Sequence, residues 1–223
     1  MKFNHIAKAC LLAAGIATGF SSAANAGFYS DRTAWEAAVT GLTTIDFQGI
    51  APNGGFTNVT PSTNIGGVNF ARGGDSNGLL FMLGDNFYYP SSVLSTQQSS
   101  TGVQSLVITL PGLFGAIGVD FGTFAQATVN FSDATPGQGG GSGIDVNTPD
   151  FPSMIFFGYV ADVGDDPISA FKMTMAGSTQ SGINIDNLSF ANVPLRGVPE
   201  PVTLSLFGAG IAGVVALRRR KKA

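Results

Sequence analysis

The chain has 223 residues, 44% hydrophobic and 11% charged, with a formal net charge of −3; once targeting segments are set aside, that leaves one domain of ordinary size. Its single histidine, His5, and single cysteine, Cys10, both fall in the first ten residues, so the remainder holds no Ser-His-Asp triad, Cys-His dyad, usual zinc site or internal disulfide. Between Gly27 and Val198 thirteen acids face four bases, a formal charge of −9 that the basic ends conceal, and this disfavours nucleic acid as a partner, which rewards clustered Lys and Arg.

The N-terminus carries Lys2 and Lys8, then an apolar run from Ala9 to Phe20, then small residues ending in Ala24-Asn25-Ala26. A positive n-region, an h-region and an A-x-A site predict a secretory signal over 1–26, cleaved after Ala26 with Ala24 and Ala26 flanking the site; the alternative is a buried N-terminal helix. Cys10 follows Ala7-Lys8-Ala9 and lacks a lipobox-like context. Next, Ser30 to Val39 predicts a short helix with Ser30 as N-cap, Gly41 as stop, and Trp35, Ala38 and Val39 on its packed face.

From there the hydrophobic period is two. Ile45 and Phe47 alternate, as do Val68 and Phe70; Leu106, Ile108 and Leu110; Ile117, Val119 and Phe121; Val129 and Phe131; Phe171, Met173 and Met175; Ile183 and Ile185. Strict alternation buries one face of a strand, and Gly, Pro, Asn and Ser punctuate the intervals. Many short strands without crossover helices predict an all-β antiparallel sandwich or barrel, not a parallel sheet, and residues 27–197 are read as a sandwich. The chain has eighteen phenylalanines, and most of them alternate with polar residues in these strands, where they can supply a core that lacks disulfides, at about 150–250 Å² buried per aromatic ring. Gly137 to Gly143 is glycine-rich and predicts a mobile loop tip.

The chain ends in a third distinct segment, 198–223. Val198-Pro199-Glu200-Pro201 is an extended linker. Residues 202–217 are sixteen uncharged positions, followed at once by Arg218, Arg219, Arg220, Lys221 and Lys222. Sixteen helical residues span about 24 Å, slightly less than a ~30 Å hydrocarbon core, a gap that snorkelling basic side chains close. Basic residues before the first apolar run and after the last favour the cytoplasmic side, so everything between is expected outside the inner membrane. In this reading the five cations act as the stop-transfer cluster.

The order Pro199-Glu200-Pro201, apolar helix, basic end resembles the PEP-CTERM sorting signal, with a signal peptide where that family has one. The resemblance implies export by the secretion translocon, transient anchoring in the inner membrane of a Gram-negative bacterium, processing by the membrane enzyme exosortase, and delivery to the surface or an exopolysaccharide matrix. An ordinary membrane anchor is the alternative. Phe28-Tyr29-Ser30 with Trp35, Ile45-Asp46-Phe47, Gly66 to Phe70, Gly115 to Phe121, Phe156 to Tyr159 and Ile183 to Phe190 resemble jelly-roll sandwiches of the carbohydrate-binding type. That implies fold more than ligand.

Three candidate sites follow. A carboxylate pair for glycoside hydrolysis remains formally open, but Glu36 is the one glutamate before the tail and sits on the predicted helix, so the chain is read as non-enzymatic. Calcium takes six to eight oxygens. Asp162, Asp165 and Asp166 offer three carboxylates in five positions, against the plain reading of a solvated acidic turn. Asp46 with Asp186 is a second structural-calcium candidate, by resemblance to jelly-roll domains; otherwise no cofactor is expected. Tyr88 and Tyr89, after Asp85-Asn86-Phe87, could stack on the sugars of an extracellular polysaccharide, against the reading that Phe87 and Tyr89 alternate into the core.

Overall fold

Alternating Val, Ile, Leu and Phe separated by glycine- and asparagine-rich turns builds two antiparallel sheets packed face to face. The computed structural model describes residues 27–59, 62–74, 79–96, 103–137, 143–162, 165–175 and 182–193. In chain order these form β1 (Gly27–Tyr29), α1 (Arg32–Glu36), β2 (Thr40–Ile45), β3 (Phe56–Val59), β4 (Ser62–Ile65), β5 (Val68–Gly74), β6 (Leu80–Leu83) and β7 (Val93–Thr96). There follow β8 (Gln104–Phe114), β9 (Ala116–Thr123), β10 (Thr128–Asp133), β11 (Ile144–Asn147), β12 (Ile155–Val160), β13 (Ile168–Met175) and β14 (Ile183–Asn192). One sheet runs β1-β12-β9-β14-β7-β6-β3, with β2 also on β14; the other runs β11-β10-β13-β8-β5-β4.

Every residue that the alternation assigns to a buried face lies in one continuous core between the sheets. Phe47 reaches that core differently from the expectation. The strand stops at Ile45, and Phe47 takes a left-handed backbone at φ 58° while its ring meets Phe70 edge-on at 5.5 Å.

The helix is shorter than expected and its cap is Asp31, not Ser30. Asp31 has extended dihedrals and its carboxylate accepts the Ala34 N–H at 2.7 Å, the geometry of an N-cap. Trp35 and Val39, with the partly buried Ala38, do pack together, in a second cluster on the outer face of the larger sheet. The Trp35 indole donates to the Tyr159 carbonyl at 3.1 Å, and its ring lies over Gly118 and Gly158, where any Cβ would collide with Phe156 or Trp35.

β14 is the central strand. β9 pairs along its length, while β7 takes the N-terminal half of its other edge and β2 the C-terminal half. Its register with β9 shifts between Asp186 and Ser189, and Asn187 there has φ 47°, a conformation asparagine tolerates better than most residues. This bulge holds a polar group inside the sheet. Residues 1–26, expected as a secretory signal, most of the Gly137–Gly143 loop and all of 198–223 lie outside the described residues; among the described residues no helix is long and apolar enough to cross a membrane.

Candidate ligand-binding surfaces

The first surface is an aromatic platform. The 84–92 loop carries Tyr88 outward and Tyr89 inward. It is pinned from below: Gly54 donates to the Asp85 carbonyl at 2.7 Å, Gly84 to the Gly55 carbonyl at 2.9 Å, and Ser92 Oγ to the Asp85 carboxylate at 2.8 Å. Gly84 approaches Pro52 so closely that a Cβ would overlap its carbonyl, so only glycine fits. Tyr88 is 52% exposed and Phe56 51% exposed. Between them Phe87 meets Tyr88 at 4.4 Å and Phe56 at 5.6 Å, and Tyr88 also touches Phe124 at 5.3 Å. A shallow cavity of about 340 Å³ is lined by these rings with Phe81, Ser95 and Thr96.

Tyr89, expected beside Tyr88 as a ligand residue, is buried instead. Its hydroxyl accepts from Asn184 Nδ2 at 3.0 Å, while Asn184 Oδ1 accepts from Ser95 Oγ at 2.5 Å. Burial, opposed weakly by the Asn184 bond, pushes the Tyr89 hydroxyl far above its ordinary value, so it stays protonated. Tyr89→Phe is therefore expected to cost about 1 kcal/mol of stability, seen as a lower denaturant midpoint, without altering the exposed platform.

The second group is carboxylate. Asp186 is 3% exposed. Its oxygens accept from Ser91 Oγ and the Asn187 N–H, each at 2.7 Å. Burial is the main cause raising its pKa, opposed by those two bonds and assisted by repulsion from Asp120 and Asp46. The fold thus does bring Asp46 and Asp186 within electrostatic reach. Both Asp186 oxygens are nevertheless engaged, Asp120 is held by Arg32 at 3.1 Å, and no group of three carboxylates among the described residues is arranged around a cation position.

A raised carboxyl pKa means the folded state binds the proton more tightly than the unfolded chain, so ionised Asp186 destabilises the fold at neutral pH. Asparagine can keep the Asn187 bond with its oxygen and replace the other without the charge, its Nδ2 donating to a Ser91 hydroxyl that turns to accept. Asp186→Asn is expected to melt higher than the parent at neutral pH. That advantage should shrink as pH falls through the raised folded pKa and vanish below the ordinary value of 3.8, in parallel thermal melts.

The third surface is a cleft where the β1–β12 edge of one sheet faces the β10–β11 edge of the other. It encloses about 360 Å³. Its floor is Phe131 stacked on Phe157 at 3.9 Å. At its mouth Phe28, 54% exposed, leans on Tyr159 at 5.2 Å and Phe157 at 5.6 Å. Asp133, Asp165 and Asp166 line it. Asp165, a metal candidate in the sequence, closes a turn: its Oδ2 accepts the Asp162 N–H at 2.7 Å and the Tyr159 hydroxyl at 3.2 Å. Burial, then the charges of Asp165, Asp133 and Asp162, push the Tyr159 hydroxyl up to about 12.

The expected sorting residues Pro199, Glu200 and Pro201, the cluster Arg218–Lys222 and the expected cleavage residues Ala24 and Ala26 all lie outside the described residues. Residues 197–221 match the family description "PEP-CTERM protein-sorting motif". The chain carries a PEP-CTERM sorting motif. The match spans Pro199-Glu200-Pro201, the apolar run and four of the five terminal cations, so it defines the tail of this PEP-CTERM-bearing chain and leaves the sandwich to be read from its own geometry.

No curated protein matches the PEP-CTERM-bearing chain. Solved structures do resemble it. A mutant of the family 29 carbohydrate binding module CBM29-2 complexed with mannohexaose aligns at TM-score 0.40 and 14% identity, over 61% of this chain and 90% of that one. TmCBM61 in complex with β-1,4-galactotriose aligns at TM-score 0.39 and 12% identity, over 55% and 88%. The enzymatically active domain of tailspike protein 4 from bacteriophage CBA120 aligns at TM-score 0.39 and 14% identity, over 57% and 20%.

Proposed function

We propose that this chain is an exported surface or matrix protein that exosortase processes through its C-terminal signal, and that its jelly-roll-like sandwich acts without catalysis. The PEP-CTERM motif at residues 197–221 carries this reading. In it, the translocon exports the acidic domain, the apolar tail halts in the inner membrane with its cations on the cytoplasmic side, and the proline-rich linker presents an extended backbone to the processing enzyme. The absence of His and Cys between Gly27 and Val198 supports a non-enzymatic role. Replacing Pro199, Glu200 and Pro201 by alanine tests it: the tail is then retained and the protein stays with the inner membrane. Tail removal and surface arrival unchanged from the parent would defeat the reading.

The exposed aromatic platform favours one further role on the same protein, contact with a neutral polysaccharide. Flat rings with neutral hydroxyls beside them suit the C–H face and the hydroxyls of a sugar chain. Tyr88→Ala is expected to weaken binding to neutral glycans roughly fivefold, in keeping with the ~1 kcal/mol of one aromatic contact. Undiminished affinity in that variant, on a glycan the parent binds, would remove the platform from the account.

A further inference from the structure

The cleft between the sheet edges differs from the platform in charge and shape. Its walls are rings and its rim is acidic. Phe28 and Tyr159 present aromatic surface at the mouth, and Phe157 backed by Phe131 closes the floor. Among the described residues that line it none is cationic. Among the described residues the carboxylates keep acceptor capacity beyond their bonds within the fold. Asp133 spends Oδ1 on the Thr135 N–H, leaving Oδ2, and Asp165 spends Oδ2 on its own turn, leaving Oδ1. Asp166 is exposed beside them. At about 360 Å³ the space falls in the range of small-molecule sites, roughly 300–1,000 Å³.

Three acidic groups around one aromatic cavity repel uronic acids and other anionic sugars. A neutral sugar would strip water from the carboxylates without replacing their charge partner. An ammonium group on a six-membered ring meets both demands: its N–H donors form charge-assisted bonds to the carboxylates, and its cationic face lies against the rings. We infer that the cleft between β1, β12, β10 and β13 is a binding site for an amino sugar with a free, protonated amine, as found in de-N-acetylated hexosamine polymers. The negative field that Asp165, Asp133 and Asp162 impose on Tyr159 is the same field that selects the cation. This site is separate from the platform around Tyr88, so either can fail without the other.

The test uses the full chain and calorimetry at mildly acidic pH, with a glucosamine tetramer bearing free amines and its fully N-acetylated counterpart as probes. The free-amine tetramer is expected to bind about tenfold tighter, as charge-assisted bonds outweigh neutral ones. Asp166→Asn should remove most of that preference, and Phe28→Ala should weaken the free-amine tetramer about tenfold, the scale of one desolvated cation–π contact. Tyr88→Ala should change neither value. Asp166 makes no hydrogen bond that the fold depends on among the described residues, and matching thermal melts for parent and variant confirm that the fold is kept. Equal binding of the two tetramers, a preference undiminished in Asp166→Asn, no binding of either tetramer, or equal affinity for a simple alkylamine would each overturn the assignment.

Discussion

Trp35→Ala is expected to lower the melting temperature by about 10 °C. Removing a fully buried indole from a core costs about 3–5 kcal/mol, and for a domain of this size each kcal/mol shifts the midpoint by roughly 2–4 °C. Trp35 is 0% exposed and carries a polar anchor as well: its indole N–H reaches the Tyr159 carbonyl at 3.1 Å. Around it the protein has cleared two backbone positions, Gly118 and Gly158, against which the ring and Phe156 pack. Those glycines cannot fill the hole left by alanine. No disulfide can compensate, because the one cysteine precedes the domain. Trp35→Phe separates the parts: it restores most of the volume and loses the hydrogen bond, so about 1 kcal/mol of the deficit should persist. Differential scanning calorimetry of the two variants reads both numbers, and a Trp35→Ala protein that melts with the parent would show that α1 is not seated on the sheet.

Arg32→Ala is expected to cost about 2 kcal/mol, less than a fully buried ion pair because the guanidinium is partly solvated. One side chain here joins several elements. It pairs with Asp120 on β9 at 3.1 Å, donates to the Asn187 carbonyl at 2.8 Å and to Ser189 Oγ at 3.0 Å on β14, and lies 4.6 Å from the Phe156 ring centre on β12. Arg32 is thus the positive counterweight to Asp120, which stands directly opposite Asp186 in the sheet. Without it, two carboxylates face each other across adjacent strands. Arg32→Lys should recover only part of the loss, since an ammonium cannot span the fork of partners that a planar guanidinium does. Urea titration of the three proteins orders them Arg, Lys, Ala; Lys equal to Arg would mean that charge alone, and not the fork, holds the bulge.

The core of the sandwich was legible because burial imposes a period of two on any strand with one dry face. Leu106, Ile108 and Leu110, or Ile117, Val119 and Phe121, announce themselves without a structure, and all lie in the one core. Short strands were not legible. β3, β4, β6, β7 and β11 are four residues each, too few to establish a period. β6 and β7 are further masked by burial on both faces, so Leu83 and Val93 serve a separate cluster with Tyr89. The helix cap fell one residue from its expected place because Ser30 and Asp31 are equally able to accept an N–H; only the backbone decides between them. Tyr88 is exposed and Tyr89 buried because adjacent residues point to opposite sides, and the sequence does not say which side is wet. Of the edge cleft, only the Asp162, Asp165 and Asp166 cluster left a local signal. Phe28, Asp133, Tyr159 and Asp166 come from four separate segments, and only the antiparallel pairing of Phe28 with Tyr159 and the approach of β10 bring them together. The tail, by contrast, is written contiguously, so motif, apolar run and cations are read in one glance.

Removal of both ends is the consequence on which the account turns, and mass spectrometry of the protein recovered from the cell surface measures it directly. The account predicts a chain that begins at Gly27 and stops before the apolar run at Val202, with any added mass at its new C-terminus reporting the attachment. A surface protein retaining Ala223, or a full-length chain in the cytosol with Met1 and Ala223 both present, would contradict it.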